Sequence, residues 1–296
     1  MEIKKVFIAG GAGVMGSGIA QVCAQAGFDV VMQDINIEAQ EKALKNIKWS
    51  VGKLVEKGKV EGTEEAITSR ISTTTKLEEA RDANFIIESV FEDIELKKNI
   101  FHQLEEICAP ETIMATNTSA IPITNIAEGM QRPDKFVGTH FFNPAVIQRT
   151  VEIIKGLLTS EETMQTTIEF CQSMGKEVVR VNKDVYGFAL VRIDVASYVE
   201  AMRMVELGVA SVEDIDKGFR MGYGRAMGPF EQRDFAGLAL GLEVLEKMYE
   251  ETGDLKFFPP PILRRKIKAG HLGKMVGIGW YKYDKDGNRI GPAEVW

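Results

Sequence analysis

The chain has 296 residues and a formal charge of −7, from 43 acidic and 36 basic side chains, with 45% apolar and 27% charged residues. Its length favours two domains, and its composition excludes disordered and collagen-like chains. No apolar run reaches bilayer-spanning length, and no block of basic residues is present to follow a phosphate backbone, so neither a membrane nor nucleic acid is an expected partner.

Met1-Glu2-Ile3-Lys4-Lys5 leads at once into a strand, which leaves no room for a secretory signal and points to a cytoplasmic protein. Val6 to Ala9 is an apolar run ending in glycines. Ile19, Val22, Cys23 and Ala26 follow at helical spacing, giving strand, turn and helix. Phe28 to Met32 reads as a second strand ending at Asp34, and Ala39, Ala43, Ile47, Val51, Leu54 and Val55 give a long amphipathic helix. Two strands joined by a helix imply a parallel pair. The alternation continues with Phe85 to Val90, a helix over 95–108, and strands at Ile113 to Thr116, Phe136 to Phe141 and Val151 to Ile154. A helix over 161–174 and a strand at Val178 to Val181 close the series. Such alternation is the signature of a doubly wound α/β sheet.

After Asp184 the strand signal stops. Residues 187–207, 211–221, 234–251 and 262–268 are helix-like, separated by turns such as Gly222-Tyr223-Gly224 and Pro259-Pro260-Pro261. The expected organisation is therefore a sheet domain over 1–184 and a smaller all-helical domain over 185–296. Trp280 to Asp284 reads as an extended segment before a turn at Asp286-Gly287-Asn288. Cys23, Cys108 and Cys171 are odd in number and widely spaced, which fits structural thiols in a reducing compartment better than disulfides or a metal site.

Gly11-x-Gly13-x-x-Gly16 lies between the first strand and the first helix, the context that makes this pattern informative. Glycines permit the tight turn and the approach of backbone N–H groups to a pyrophosphate, and the helix N-terminus adds partial positive charge. Gly11, Gly13, Val14, Met15 and Gly16 are thus candidate cofactor residues of a Rossmann-type domain. Asp34, at the end of the second strand, can accept hydrogen bonds from the adenine ribose. Ile35, Asn36 and Ile37 follow with no arginine, which favours NAD over NADP. Gly10 is irregular, since an apolar residue would be expected there; the loop either begins one residue early or carries a small bulge.

The carboxyl ends of the strands should hold the chemistry. Ser119, in Asn117-Thr118-Ser119, either hydrogen-bonds a substrate oxygen or the nicotinamide, or caps a helix. His140, in Gly138-Thr139-His140-Phe141-Phe142-Asn143-Pro144, is one of three histidines, and Glu152 follows on the next strand. Facing each other across neighbouring strands, the two would make a general acid and base for oxidising a secondary alcohol. A core histidine satisfied by backbone groups is the alternative.

The chain resembles the L-3-hydroxyacyl-CoA dehydrogenases, with bacterial 3-hydroxybutyryl-CoA dehydrogenases closest in layout. The resemblance rests on Met15-Gly16-Ser17-Gly18-Ile19-Ala20, Glu95-Leu96-Lys97-Lys98 after Ile87-Glu88, Asn117-Thr118-Ser119, His140-Phe141-Phe142-Asn143-Pro144 and Met227-Gly228-Pro229-Phe230-Glu231, in order from about residue 3 to residue 283. It implies a catalytic set of Ser119, His140, Asn143 and Glu152, cofactor contacts from Glu92 and Lys97, and coenzyme A contacts from Ser50 and Lys57. It further implies an acyl-CoA substrate, a homodimer formed by the helical domain, and closure of that domain over the acyl group.

Two stretches depart from the family pattern. Tyr186-Gly187-Phe188 stands where the family has Pro-Gly-Phe, and Val191 replaces its active-site asparagine. Val146 and Gln148 also differ, where a second proline and often a methionine are usual. Valine donates no hydrogen bond, so the pocket either works less well on acetoacetyl-CoA or suits another 3-hydroxyacyl thioester. The competing readings are a dehydrogenase of a free hydroxy acid, of the gulonate or carnitine type, and a catalytically silent NAD-binding protein.

Overall fold

The strands β1 (Lys5–Ala9), β2 (Asp29–Gln33), β3 (Ile71–Thr74), β4 (Phe85–Glu88), β5 (Ile113–Thr116), β6 (Phe136–Phe141), β7 (Thr150–Ile154) and β8 (Glu177–Val181) form one sheet in the order β3-β2-β1-β4-β5-β6-β7-β8. The computed structural model describes residues 2–294. These strands belong to a compact unit ending at Phe188, and a second unit begins at Ala189.

In the first unit the sheet is flanked by α1 (Val14–Gln25), α2 (Ile37–Glu56), α3 (Glu64–Thr68), α4 (Ile94–Ile107), α5 (Ile123–Ile126) and α6 (Glu161–Ser173). The strand residues of β4, β5 and β6 are buried throughout, as continuous apolar runs require when both faces of a sheet are covered. Val6, Ile8, Ile19, Ile47, Phe85, Val137 and Phe170 belong to one apolar core. Three elements escape the sequence reading. Ile71-Ser72-Thr73-Thr74 has a single apolar residue and carries no alternation, yet it pairs with β2 as an edge strand. α3 and α5 are too short to show a helical period.

Every pairing in the sheet is parallel except β6 with β7. The link over 142–149 is too short to cross to the opposite end of the sheet, which a parallel return would need. The chain runs from β1 outward to β2 and β3, then returns to β4 on the other side of β1. The crevice beyond the carboxyl ends of β1 and β4 is therefore the switch point where such folds bind ligands.

The second unit contains α7 (Leu190–Glu206), α8 (Val212–Gly222), α9 (Pro229–Ala236), α10 (Leu238–Thr252) and α11 (Pro261–Lys268). The helix expected over 234–251 is two helices, broken at Gly237, whose φ of 97° lies in the left-handed region open to glycine. The extended tail is an antiparallel ribbon of β9 (Tyr281–Tyr283) and β10 (Arg289–Pro292). Buried Asp234 of α9 anchors it by accepting from Trp280 N at 2.7 Å, Tyr281 N at 2.9 Å and the Tyr283 hydroxyl at 2.9 Å.

Candidate active site

At the end of β1 the chain turns through Gly10 with φ of 73°, and a Cβ there would lie 2.8 Å from the Ser89 carbonyl oxygen. The left-handed backbone and the close approach of the segment after β4 both require glycine, which accounts for the irregular residue. A Cβ on Gly11 would meet Met32 Cγ at 2.3 Å, and one on Gly16 would meet the Gly10 carbonyl oxygen at 2.4 Å. Gly13 is different. Its φ is −64°, and a Cβ would touch only the Gly10 carbonyl oxygen, at an ordinary 3.4 Å. The fold itself does not need glycine at this position, whereas close approach of a pyrophosphate does.

The first turn of α1 supports that reading. Asn36, Asp93 and Ser160 cap α2, α4 and α6 by accepting from the backbone three residues on, but Gly13 caps α1 with no side chain. The α1 amides are left without a side-chain acceptor, and an anion is the natural partner for them. Asp34 faces the loop, its Oδ2 accepting from Ala12 N at 3.3 Å and its Oδ1 from Asn36 N at 3.1 Å. Val14 and Met15 open α1, and Val14 and Phe91, in the segments that follow β1 and β4, are both exposed. A glycine cradle, an uncapped helix and a carboxylate at the end of β2 that faces the loop together fit NAD.

The segment after β5 is held by the segment after β4. Glu92 Oε1 accepts from Ser119 N at 2.9 Å, from Ala120 N at 3.3 Å and from the Thr118 hydroxyl. Its Oε2 lies 3.3 Å from Lys97 Nζ, which also donates to Glu88 Oε1 at 2.7 Å. Burial pushes the Glu88 carboxyl above the ordinary carboxylate range, opposed by the Lys97 charge and by hydrogen bonds. Ser119 is exposed and does not cap α5, where Pro122 occupies the capping position. Lys97 is almost wholly enclosed between two carboxylates. Glu88 carries no sequence signal beyond a charge at the end of an apolar run.

His140 and Glu152 are opposite each other on the antiparallel β6 and β7, with Nδ1 2.8 Å from Oε2. With the carboxylate accepting, Nδ1 carries the hydrogen and Nε2 keeps its lone pair. His140 is 5% exposed and Glu152 is fully buried. Phe142 and Phe188 lie beside the imidazole, with ring centroids 4.5 and 6.0 Å away. Phe188 is the only non-glycine residue with positive φ among the described residues, at 50°. Its neighbour Gly187 donates to the Ala120 carbonyl oxygen at 2.9 Å, next to Ser119. Neither phenylalanine was singled out from sequence. Asn117 Oδ1 accepts from Phe141 N at 2.9 Å and so ties the end of β6 to β5.

The remaining candidates are more scattered. Asn143 is exposed in the turn after β6, with a cis peptide bond to Pro144. Ser50 on α2 accepts from Gln21 Nε2 of α1 at 3.0 Å, and Lys57 is exposed at the C-terminal end of α2. Val191 lies in the first turn of α7, in the second unit. Cys23, Cys108 and Cys171 are buried and free, and burial raises the Cys23 thiol to about 12 and that of Cys108 to about 11. No cluster of side chains able to hold a metal ion occurs among the described residues. None of their helices is long and apolar enough to cross a membrane.

A dinucleotide crevice with a histidine and carboxylate pair on the neighbouring strands defines an NAD-dependent dehydrogenase. Residues 5–185 match the family model for the NAD binding domain of 3-hydroxyacyl-CoA dehydrogenase, and residues 187–283 match the one for its C-terminal domain. The chain belongs to the 3-hydroxyacyl-CoA dehydrogenase family. It is 44% identical over 286 residues to a probable 3-hydroxybutyryl-CoA dehydrogenase of Bacillus subtilis, covering 96% of this chain and 99% of that one. It is 40% identical over 276 residues to the 3-hydroxybutyryl-CoA dehydrogenase of Clostridioides difficile, covering 93% and 98%. Among solved structures it is similar to (S)-3-hydroxybutyryl-CoA dehydrogenase PaaH1 from Ralstonia eutropha, with a TM-score of 0.91, 37% identity, and coverage of 96% of this chain and 100% of that one.

Proposed function

We propose that the protein interconverts a short-chain L-3-hydroxyacyl-CoA and the matching 3-ketoacyl-CoA, with His140 as general acid and base. The observation that carries this reading is the buried His140 and Glu152 pair beside the dinucleotide crevice. His140 Nε2 takes the hydroxyl proton, and Glu152 stabilises the imidazolium through Nδ1. NAD, when bound, would supply the acceptor for the hydride that leaves the carbon bearing that hydroxyl. In reduction His140 returns the proton to the ketone oxygen. A base positioned in this way contributes about 10² to 10⁴ in rate.

Ser119 and Asn143 hold the reacting oxygen and the nicotinamide. Gly11, Gly13, Val14, Met15 and Gly16 cradle the pyrophosphate, and Asp34 binds the adenine ribose. Glu92 and Lys97 complete the cofactor side, and Ser50 and Lys57 on α2 bind the coenzyme A moiety. The sheet domain takes residues 1–184 and the helical domain 185–296. The helical domain joins two copies in a homodimer, a role supported by exposed Met221, Tyr223, Phe235 and Leu240. The names of the relatives support short acyl chains, and the three buried free thiols fit an enzyme of the reducing cytoplasm.

The test is NADH oxidation by acetoacetyl-CoA, run beside NADPH, free acetoacetate and the variant His140→Ala. Turnover that needs both NADH and the coenzyme A group, and is lost in the variant, is the expected result. Equal turnover of the free acid would replace this reading with the hydroxy-acid one, and no turnover of any 3-ketoacyl-CoA would remove it. Comparing kcat/KM for linear, branched and cyclic 3-ketoacyl-CoAs reads out which acyl chain the protein prefers with Val191, Tyr186 and Gln148 in place of the family's residues.

A further inference from the structure

The role of Glu88 is not accounted for by any step above. It ends β4, in register with Ala9 of β1 and Thr116 of β5, and is fully buried. Its Oε1 accepts from Lys97 Nζ and from Val90 N, each at 2.7 Å, and its Oε2 accepts from the Thr116 hydroxyl at 2.7 Å. The preceding residues Phe85, Ile86 and Ile87 are apolar, and another apolar side chain would pack there without the desolvation that two buried charges suffer. A buried ion pair is therefore weak evidence for stability and better evidence for geometry.

The geometry it fixes is that of Glu92. This residue lies on the irregular segment between β4 and α4, and its side chain is 39% exposed. A glutamate so exposed ordinarily samples many rotamers. Here its Oε2 faces Lys97 Nζ, a group only 1% exposed that is itself held by Glu88. The other oxygen is thereby aimed at the backbone of Ser119 and Ala120 and at the Thr118 hydroxyl.

We propose that Glu88 is a positioning residue for Ser119. Glu88 holds Lys97, Lys97 holds Glu92, and Glu92 fixes the segment 118–120 that carries the Ser119 hydroxyl at the crevice. The functional part of this inference rests on the role given to Ser119 above, whereas its structural part can be read without turnover.

The variant Glu88→Leu combined with Lys97→Met removes both charges and orphans neither. Amide hydrogen exchange is followed in the full chain by mass spectrometry. Residues 118–120 should exchange at least about tenfold faster, with the β4 and β5 amides as protected as before. kcat with acetoacetyl-CoA should fall about 10- to 100-fold, as expected for a misplaced contact. Adding Ser119→Ala to the pair should then cost little more, although Ser119→Ala alone costs its full effect. Unchanged exchange at 118–120, or losses that simply multiply, would overturn the proposal. Should the pair variant not fold, Glu92→Gln tests the next link, at a partly exposed position, by the same exchange and additivity readouts. A wild type inactive on every 3-ketoacyl-CoA defeats the functional reading alone, since the exchange result is independent of it.

Discussion

His140 and Glu152 are cross-strand partners, and Nδ1 meets Oε2 at 2.8 Å because β6 and β7 run antiparallel in a register that places the two residues opposite each other. Directly opposed residues bring their side chains close without help from a mobile loop. The sheet therefore sets the imidazole's orientation, and the carboxylate sets its tautomer.

Replacing Glu152 by glutamine keeps the size of the side chain but offers Nδ1 a group that can donate as well as accept. The proton-accepting tautomer is then no longer enforced, and the imidazolium loses its counter-charge. We expect kcat to fall about 10²- to 10⁴-fold with little change in KM for NADH. Steady-state kinetics check this, and a kcat within about twofold of wild type would contradict the role.

Gly13 and Gly16 should separate binding from folding. An alanine Cβ at Gly16 would sit 2.4 Å from the Gly10 carbonyl oxygen and 2.7 Å from Gly11 Cα, backbone atoms with little freedom to move. Gly16→Ala should lower stability by about 1–3 kcal/mol. Gly13→Ala meets nothing closer than 3.4 Å and should leave Tm unchanged while weakening NADH binding about tenfold or more. Thermal melts and fluorescence titration with NADH decide the matter. Equal loss of Tm in both variants would show that the fold needs Gly13 as well.

Lys266 of α11 is buried, with Nζ donating to the carbonyl oxygens of Gly279 at 3.1 Å and Glu294 at 3.0 Å. Burial lowers its pKa from 10.5 to about 8, opposed by the nearby Asp234 and Glu294 carboxylates. Between about 8 and 10.5 the folded chain binds fewer protons at this site than the unfolded chain, so the site's contribution to stability rises with pH across that window. Below it the charged, desolvated ammonium carries the full penalty. The stability of Lys266→Met relative to wild type should therefore be greatest near neutral pH and fall on going to alkaline pH, by on the order of 1–3 kcal/mol. Denaturant melts of both proteins across that range test this, and a pH-independent difference would count against it.

Thr139 is fully buried beside His140, in register with Ile153, and its hydroxyl has no partner among the described residues. Valine has the same shape without the unpaired donor. Thr139→Val should raise stability by about 1 kcal/mol, read as a higher Tm. An unchanged or lower Tm would mean that the hydroxyl is satisfied in solution.

The glycine loop and the acidic residue after β2 were readable because both depend on short-range geometry. A turn, a helix start and a carboxylate at the end of the second strand leave marks within a few dozen residues. His140 and Glu152 were readable as a pair on neighbouring strands, but not the antiparallel register that sets them directly opposite each other, because nothing in the sequence says that β7 turns back beside β6. β3 was invisible for a related reason: its pairing with β2 stabilises it without apolar alternation of its own. The break at Gly237 fell inside an otherwise continuous helical pattern, where one glycine is not by itself a stop signal.

The sequence by itself determined the alternation of strands and helices, the dinucleotide loop, the choice of NAD and His140 as the candidate for proton transfer. These follow from local sterics and from the chemistry of single side chains. Tertiary structure alone decided that Gly10 must be glycine, that Glu88, Lys97 and Glu92 stand in series behind Ser119, and that Glu152 faces His140. Each of these depends on strands distant in sequence coming within hydrogen-bonding or van der Waals reach, and register between strands is a property of the folded sheet.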